Sequence, residues 1–245
     1  MSVFYDSIGN GYAQRRQPDP RIAVAVGDAL AGARTVVNVG AGTGSYEPKD
    51  RAVVAVEPSR VMIAQRSVDA APVIQATASA LPFPDGSFDA AMAVLTLHHW
   101  DDQRRGLAEL CRVASERVVI LTWDPGSDGF WLSDYFSEIL PMDREIFPPL
   151  DGLYAEFGAV SVRPVLIPAD CEDGFLAAYW QRPHAYLDPV IRSGMSTFAK
   201  IDDAQAGIDA LRGDLDSGNW QRRYGHLMDQ PAIDAGYALV VIEQR

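Results

Sequence analysis

A glycine-rich segment and one acidic residue form the clearest chemical pattern in this chain of 245 residues. Residues 36–44 read Val-Val-Asn-Val-Gly-Ala-Gly-Thr-Gly, and Glu57 follows directly after the apolar residues 53–56. Glycines let a backbone approach a ligand where any Cβ atom would collide with it. A carboxylate at the end of the next strand can accept hydrogen bonds from ribose hydroxyls. The pattern predicts a nucleoside-binding site.

The spacing of the glycines distinguishes between nucleoside-type ligands. A dinucleotide fingerprint has glycines at G-x-G-x-x-G and a long helix that holds a pyrophosphate. Here the spacing is G-x-G-x-G, Ser45 stands at the place of the third glycine, and Pro48 predicts a short or distorted helix. A nicotinamide-dependent oxidoreductase, which would also need a Tyr-x-x-x-Lys pair, is therefore disfavoured. A glycine-rich turn without a ligand is the simplest alternative.

The elements that must position this loop alternate between strand and helix. Capping residues predict helix starts at Asp19-Pro20, Ser59 and Asp101-Asp102. Alternation predicts an α/β fold: a Rossmann-like, doubly wound, mostly parallel seven-stranded sheet, with an antiparallel C-terminal strand pair and a helical insertion over the carboxyl edge. The predicted strands are residues 35–39, 53–57, 73–74, 88–94, 117–122, 160–167 and 237–242, and later helical patterns lie at 153–157, 175–179 and 204–215.

Composition excludes several classes of partner. The chain has 33 acidic and 21 basic residues, a net charge of −12, which disfavours a nucleic acid partner. Two cysteines, Cys111 and Cys171, are too few for a disulfide framework or a metal quartet, and no metal site is expected. No secretory signal and no apolar window near the ~20 residues of a membrane span are evident. We expect a cytoplasmic protein without a membrane partner, and the oligomeric state stays open.

Four motifs in order resemble one enzyme family. They are the glycine loop 39–44, the acidic strand end 56–59, the segment Ala-Ser-Ala-Leu-Pro-Phe at 78–83, and Leu-His-His-Trp at 97–100. The chain is similar over residues 10–125 to class I S-adenosylmethionine-dependent methyltransferases, in the methyltransferase type 11 group that includes the ubiquinone and menaquinone biosynthesis enzymes. The resemblance implies S-adenosyl-L-methionine as cofactor and S-adenosyl-L-homocysteine as product.

The same resemblance implies roles for residues around the loop. The loop would pack against the methionine part and the ribose, and Glu57 would hold both ribose hydroxyls. Pro58 and Met62 would flank the adenine. The loop residues concerned are Gly40, Ala41, Gly42 and Gly44.

Two positions depart from the family pattern. Thr77, with Ala78 and Ser79, falls where the family usually has an Asp-Ala pair that contacts adenine, so a neutral hydroxyl replaces a carboxylate there. Asn38 stands where an acidic residue is common, and backbone carbonyls near Val94 and Leu95 are the alternative partners of the methionine ammonium. In such enzymes an N-terminal segment often folds over the cofactor. Its candidate contacts here are Tyr12 and Arg16, whose guanidinium either pairs with the methionine carboxylate or is simply solvated.

The implied reaction is methyl transfer to a small, partly hydrophobic molecule through oxygen, nitrogen or carbon. Positioning supplies most of such an acceleration. An acceptor hydroxyl or amine would gain from a general base, for which His98, His99 and Asp124 are candidates. The alternatives are that one histidine caps a loop while the other packs against the cofactor, and that Asp124 belongs to an ordinary Asp-Pro-Gly turn. A binding protein that has lost methyl transfer is the remaining alternative.

Aromatic residues crowd the chain after the fifth predicted strand. They either pack the insertion onto the sheet or line an apolar acceptor pocket. We predict a single class I methyltransferase domain over residues 1–245. Its parts are a helical N-terminal segment at 1–34, a cofactor-binding core at 35–125, a helical substrate cover with strand six at 126–235, and a final strand at 236–245. The aromatic residues are Trp123, Phe130, Trp131, Tyr135, Phe147, Tyr154, Phe175, Tyr179, Trp180 and Tyr186.

Overall fold

A seven-stranded sheet runs through the centre of the protein in the computed structural model, which describes residues 12–150, 152 and 154–244. The strands are β1 Thr35–Val39, β2 Ala52–Val56, β3 Val73–Ile74, β4 Phe88–Val94, β5 Ala114–Trp123, β6 Ala159–Pro164, β7 Ile167–Pro168, β8 Ala232–Ile233 and β9 Tyr237–Glu243. Their order in the sheet is β3-β2-β1-β4-β5-β9-β6, while β7 and β8 form a separate pair. The predicted fold class is confirmed.

The direction of the strands follows from their burial. Strands β1 to β5 pair in parallel, and β1 is apolar and buried on both faces, as parallel strands covered by helices are. Strand β9 lies antiparallel between β5 and β6. The predicted antiparallel pair is therefore β6 with β9.

Two predicted strands differ from the structure by three residues at one end, and two others by a single residue. Strand β5 begins at Ala114, three residues before the predicted start, because Ala114 pairs with Phe88 ahead of an irregularity in the register. The strand predicted at 160–167 ends at Pro164. A proline cannot donate to the next rung of a ladder, and the chain turns away so that Ile167 pairs with Ile233 instead.

The three predicted helix caps are present. Asp19, Ser59 and Asp102 each accept a hydrogen bond from a backbone N–H in the first turn. No helix follows the glycine loop within residues 40–51, so Pro48 abolishes the helix rather than shortening it. The helices are α1 Tyr12–Arg15, α2 Pro20–Ala29, α3 Arg60–Ile63, α4 Gln103–Val113, α5 Ile139–Ile146, α6 Pro189–Arg192, α7 Gln205–Asp216 and α8 Asn219–Tyr224.

Single 3-10 turns replace several expected helices. The pattern around 153–157 forms the turn Tyr154–Phe157, and the pattern around 175–179 forms Leu176–Tyr179. The predicted helix at 204–215 is confirmed as α7. No helix among the described residues is long and apolar enough to cross a membrane.

Three apolar clusters hold the layers together. One packs α2 against one face of the sheet, and the second packs α4 against the other face. The third lies within the region after β5 and is built from aromatic side chains of the insertion, with Trp131 and Trp220 at its centre. The insertion thus has a core of its own in addition to its contacts with the sheet.

Candidate functional site

The loop after β1 is held against the ends of β2 and β4. The N–H groups of Gly40 and Ala41 both donate to the carbonyl of Val56, at 2.9 and 3.0 Å. Gly40 has a φ of +71°, and a Cβ atom there would collide with Oγ1 of Thr96. Only glycine satisfies both constraints at this position.

Glu57 is locked in place by two backbone hydrogen bonds. Its Oε2 accepts from the N–H of Gly42 and its Oε1 from the N–H of Ser59, both at 2.8 Å. The residue is 5 % exposed and lines the cavity beside the loop. A carboxylate oxygen has more than one lone pair, so each can accept a further bond from a ligand.

This cavity, here called the loop cavity, has a volume of about 540 Å³. It brings together most of the residues predicted for cofactor binding. Gly44 does not line it, and its N–H instead closes the loop on the carbonyl of Ala41. Tyr12 begins α1, but its side chain lies outside the part of the chain that the structure describes. The predicted residues that line the cavity are Arg16, Asn38, Gly40, Ala41, Gly42, Glu57, Pro58, Met62, Thr77, Ala78, Ser79, Val94, Leu95 and His99.

Asn38 presents an unsatisfied acceptor to the loop cavity. Its Nδ2 donates to Oε1 of Glu47 at 3.3 Å, which orients the amide. Its Oδ1 is buried and has no hydrogen-bond partner among the described residues. Buried polar atoms are nearly always satisfied, so an acceptor without a described partner beside this cavity is unusual.

A buried ion pair between Arg66 and Glu47 holds the glycine loop in place, and the sequence did not predict it. Arg66 Nη2 contacts Glu47 Oε1 at 2.7 Å, and Arg66 Nη1 donates to the carbonyl of Gly42 at 3.1 Å. Glu47 also accepts from the N–H of Ala71 at 3.0 Å. Because nineteen residues separate the pair, no local sequence signal links them.

Arg16 is engaged by a second buried acid. Its Nε contacts Oδ1 of Asp173 at 2.6 Å, and the hydroxyl of Tyr46 donates to Oδ2 of Asp173 at 2.7 Å. The Asp173 side chain is 1 % exposed. The predicted solvated arginine is therefore wrong, and Arg16 is a bound group that ties the N-terminal segment to the insertion. Its pairing with the methionine carboxylate stays a prediction.

A second, smaller cavity adjoins the loop cavity and shares Arg16 and Leu95 with it. We call it the aromatic cavity; its volume is about 60 Å³. The insertion and the strand ends both contribute to its walls. The aromatic side chains are Trp123, Phe130, Phe147, Phe175 and Tyr237, and the polar ones besides Arg16 include His98, Asp143 and Lys200.

The two histidines face different cavities. His98 lines the aromatic cavity and stacks on Phe147 at 4.2 Å, whereas His99 lines the loop cavity. Burial lowers the pKa of His98 well below its usual value and that of His99 to about 3, helped by the positive charge of Lys200. Both imidazoles are neutral at neutral pH and weakly basic. The Nδ1 of His98 is buried without a described partner.

Asp143, on α5, was not predicted from sequence. It is 6 % exposed, and burial raises the pKa of its carboxyl from 3.8 to about 7, against the opposing charge of Lys200. Burial lowers the pKa of Lys200, and the Asp143 charge limits that change. A methionine–aspartate–arginine stretch in an amphipathic segment resembles an ordinary helix surface, so no sequence signal marks this acid.

Asp124 behaves as a turn residue. Its Oδ1 accepts from the N–H of Gly126 at 2.9 Å, and its carbonyl accepts from the N–H of Ser127. It lines neither cavity. The geometry contradicts a catalytic role and favours the turn alternative. No group of three or more His, Cys, Asp or Glu side chains within the described ranges is arranged to hold a metal ion.

The aromatic residues divide between the two expected roles. Trp131, Trp180 and Tyr186 are buried in the insertion, where Trp131 Nε1 donates to the carbonyl of Trp180 at 2.8 Å. They are core residues. Phe130, Phe147 and Phe175 contribute instead to the aromatic cavity, as does Trp123.

Comparison with known proteins gives consistent matches. A family model described as a methyltransferase domain matches residues 37–121. A demethylmenaquinone methyltransferase of Thermus thermophilus is 34% identical over 122 residues, which cover 46% of this chain and 52% of that protein. A 2-methyl-6-phytyl-1,4-hydroquinone methyltransferase of Oryza sativa is 26% identical, covering 59% of this chain and 45% of that protein. The chain thus spans about half the length of these curated relatives.

One solved structure is similar over nearly the whole length. It is described as a putative methyltransferase from an antibiotic biosynthesis pathway of Anabaena variabilis, and it is 33% identical with a TM-score of 0.86. The match covers 94% of this chain and 99% of that one, so it includes the insertion that the family model does not reach.

Proposed function

The chain belongs to the class I S-adenosylmethionine-dependent methyltransferases of the ubiquinone/menaquinone type, and we propose that it methylates a small, largely apolar molecule that carries a hydroxylated ring. The observation that carries this proposal is the junction of two cavities, one built around the glycine loop and Glu57 and the other walled by aromatic side chains.

The residues of the loop cavity fit S-adenosylmethionine. The backbone of residues 40–43 borders the cavity, the Glu57 carboxylate is fixed on its wall by two backbone N–H groups, and the buried Asn38 oxygen has no donor among the described residues. Glu57 would hold the ribose hydroxyls and Asn38 the methionine ammonium. When bound, the cofactor supplies an electrophilic methyl group. Pro58, Met62, Thr77, Ala78 and Ser79 would surround the adenine.

The walls of the aromatic cavity favour a planar apolar acceptor, whose ring must also occupy the adjoining part of the loop cavity because about 60 Å³ is less than a ring needs. Trp123, Phe147 and Phe175 offer ring faces and edges, and such surfaces pack well against a planar ring. Neutral His98 can accept a hydrogen bond there without the cost of burying its charge. The curated relatives are named for the methylation of demethylmenaquinone and of 2-methyl-6-phytyl-1,4-hydroquinone, and the second name supports a hydroxylated ring.

The proposal is tested by separating binding from transfer. Calorimetry with S-adenosylhomocysteine should show binding, and NADH should not compete with it. Methyl-labelled S-adenosylmethionine should then label 1,4-naphthohydroquinone or hydroquinone in the presence of the protein. If S-adenosylhomocysteine does not bind, the assignment of the loop cavity as the cofactor site is contradicted. If it binds but no compound in a panel of hydroxylated rings becomes labelled, the alternative of a binding protein that has lost methyl transfer is favoured.

A further inference from the structure

The aromatic cavity contains a carboxyl group that nothing in the fold requires. Asp143 is buried and lines the cavity, and no described residue donates a hydrogen bond to its carboxylate. Taking a carboxylate out of water without such partners is costly, and proteins rarely do it for packing alone. The group is therefore aimed at something that enters the cavity.

The charges that face Asp143 restrict what can enter. Lys200 from the segment before α7, Arg16 from the N-terminal segment, His98 after β4 and Tyr237 on β9 all line the same cavity. A cationic amine would be repelled by Lys200, whereas the charge of Arg16 is already balanced by Asp173. An anionic carboxylate would be repelled by ionised Asp143. A neutral hydroxyl on an apolar ring suits both groups, because it donates to the carboxylate and any negative charge that develops on its oxygen faces Lys200.

Starting from the function proposed above, we propose that Asp143 is the proton acceptor for the ring hydroxyl of the methyl acceptor, with Lys200 as the nearby cation that favours its ionised form. The hydroxyl's O–H bond breaks, the proton moves to a carboxylate oxygen of Asp143, and the electron pair stays on the acceptor oxygen, where it is shared with the ring. Asp143 becomes a neutral acid and later returns the proton to solvent.

Relative basicity selects Asp143 over the neighbouring histidines. A phenolic hydroxyl has a pKa near 10, as tyrosine has, so a base is more effective the closer its own pKa lies to that value. The pKa of Asp143 is raised to about 7, whereas that of His99 is lowered to about 3 and that of His98 lies well below its usual value. Burial has reversed the ordinary order of their pKa values, so that the carboxyl is a stronger base than either imidazole.

Two matched probes test the proposal without any turnover. 4-Fluorophenol and 4-fluoroanisole differ by the proton on oxygen, and fluorine NMR measures the binding of each to the protein saturated with S-adenosylhomocysteine. Between about pH 5.5 and about pH 8, the affinity for 4-fluorophenol should rise by about tenfold as Asp143 ionises, since hydrogen bonds to charged groups are of that strength. The affinity for 4-fluoroanisole should stay constant.

Variants locate the effect. Asp143→Asn should abolish the pH dependence and reduce the preference for the phenol to less than about threefold, and Lys200→Met should move the rise in affinity to higher pH, because a nearby cation favours the ionised carboxyl. Asp128→Asn, which changes a fully exposed acid on the neighbouring loop, should match the wild type. The affinity for S-adenosylhomocysteine, measured in the same samples, should be equal in the wild type and the three variants.

The outcomes separate this proposal from the proposed function. Failure of the wild type to bind S-adenosylhomocysteine would contradict the function itself. Normal cofactor binding with no phenol binding, with phenol affinity independent of pH, or with a pH dependence that persists in Asp143→Asn, would overturn the role of Asp143 alone. The wild-type pH profile decides the point even if a variant folds poorly.

Discussion

A buried carboxyl with a raised pKa predicts that Asp143→Asn stabilises the protein, and that it does so increasingly as the pH rises. The native state holds the Asp143 proton up to a pKa of about 7, whereas an unfolded chain releases it near 3.8. A group whose pKa is raised by folding contributes stability at low pH that is lost as the pH rises toward the native pKa. Asparagine is neutral in both states and does not lose this contribution.

The size of the effect follows from the two pKa values. The full difference between 3.8 and about 7 corresponds to about 4 kcal/mol, of which about 2 kcal/mol falls between about pH 5.5 and about pH 7.5. His98 and His99 act in the opposite sense, because their lowered pKa values make the native state less stable as the pH falls below about 6.5. The difference between variant and wild type cancels the histidines and leaves Asp143.

The assay is urea denaturation followed by tryptophan fluorescence across this pH range. The free energy of unfolding of Asp143→Asn minus that of the wild type should grow by about 2 kcal/mol from the acidic to the alkaline end. Asp128→Asn should show no trend. A difference that is constant with pH, or that shrinks as the pH rises, would mean that Asp143 is not a buried acid of raised pKa, and the argument for its role as a base would fall with it.

Four further predictions concern Glu57, two glycines and the lysines. Glu57→Ala should weaken S-adenosylhomocysteine binding by about 1.5–3 kcal/mol in calorimetry, the scale of hydrogen bonds to a charged group, and unchanged affinity would refute the ribose assignment. Gly40→Ala should abolish that binding, because the new Cβ atom would collide with Thr96. Gly27 lies inside α2 with open space around it, so Gly27→Ala should raise the free energy of unfolding by about 0.5–1 kcal/mol. Lys49 and Lys200 are the only lysines in the sequence, so reductive methylation with carbon-13 gives one NMR signal for each lysine, besides that of the N-terminal amine. The Lys200 signal should titrate below the ordinary lysine range, and a titration within that range would contradict its burial.

The parts of the site that sequence reasoning predicted are those that local chain geometry determines. The glycine loop, β1, β2 and Glu57 lie within 23 consecutive residues, and parallel strands bring their carboxyl ends to one edge. The caps at Asp19, Ser59 and Asp102 are likewise local, because each depends on a backbone N–H two or three residues away. Such features require no knowledge of what packs above the sheet.

The features that were missed depend on contacts between distant segments. Arg16 meets Asp173 across 157 positions, and nothing near either residue signals the pairing. Asp143 and Lys200 reach one cavity only because the insertion folds back over the sheet. The end of the strand predicted at 160–167 depends on a partner at 232–233. In each case tertiary packing decided between alternatives that looked equal along the chain.

The parts of the site that local geometry determines are those proposed to bind the cofactor, and the parts that distant contacts determine are those proposed to bind the methyl acceptor. The family model ends at residue 121. Arg16, Leu95 and His98 line the aromatic cavity from before that point, and all its other lining residues lie after it. The cofactor half can therefore be shared among relatives whose acceptors differ. Where the two cavities meet, Leu95 adopts a φ of +50°, a conformation that costs of order 1 kcal/mol for a side chain of this size, and its N–H is tied to the carbonyl of Leu121 at 2.8 Å. Strained backbone held by its surroundings clusters at ligand sites. The conformation of Leu95, the one apolar residue that lines both cavities, therefore agrees with our proposal that donor and acceptor meet there.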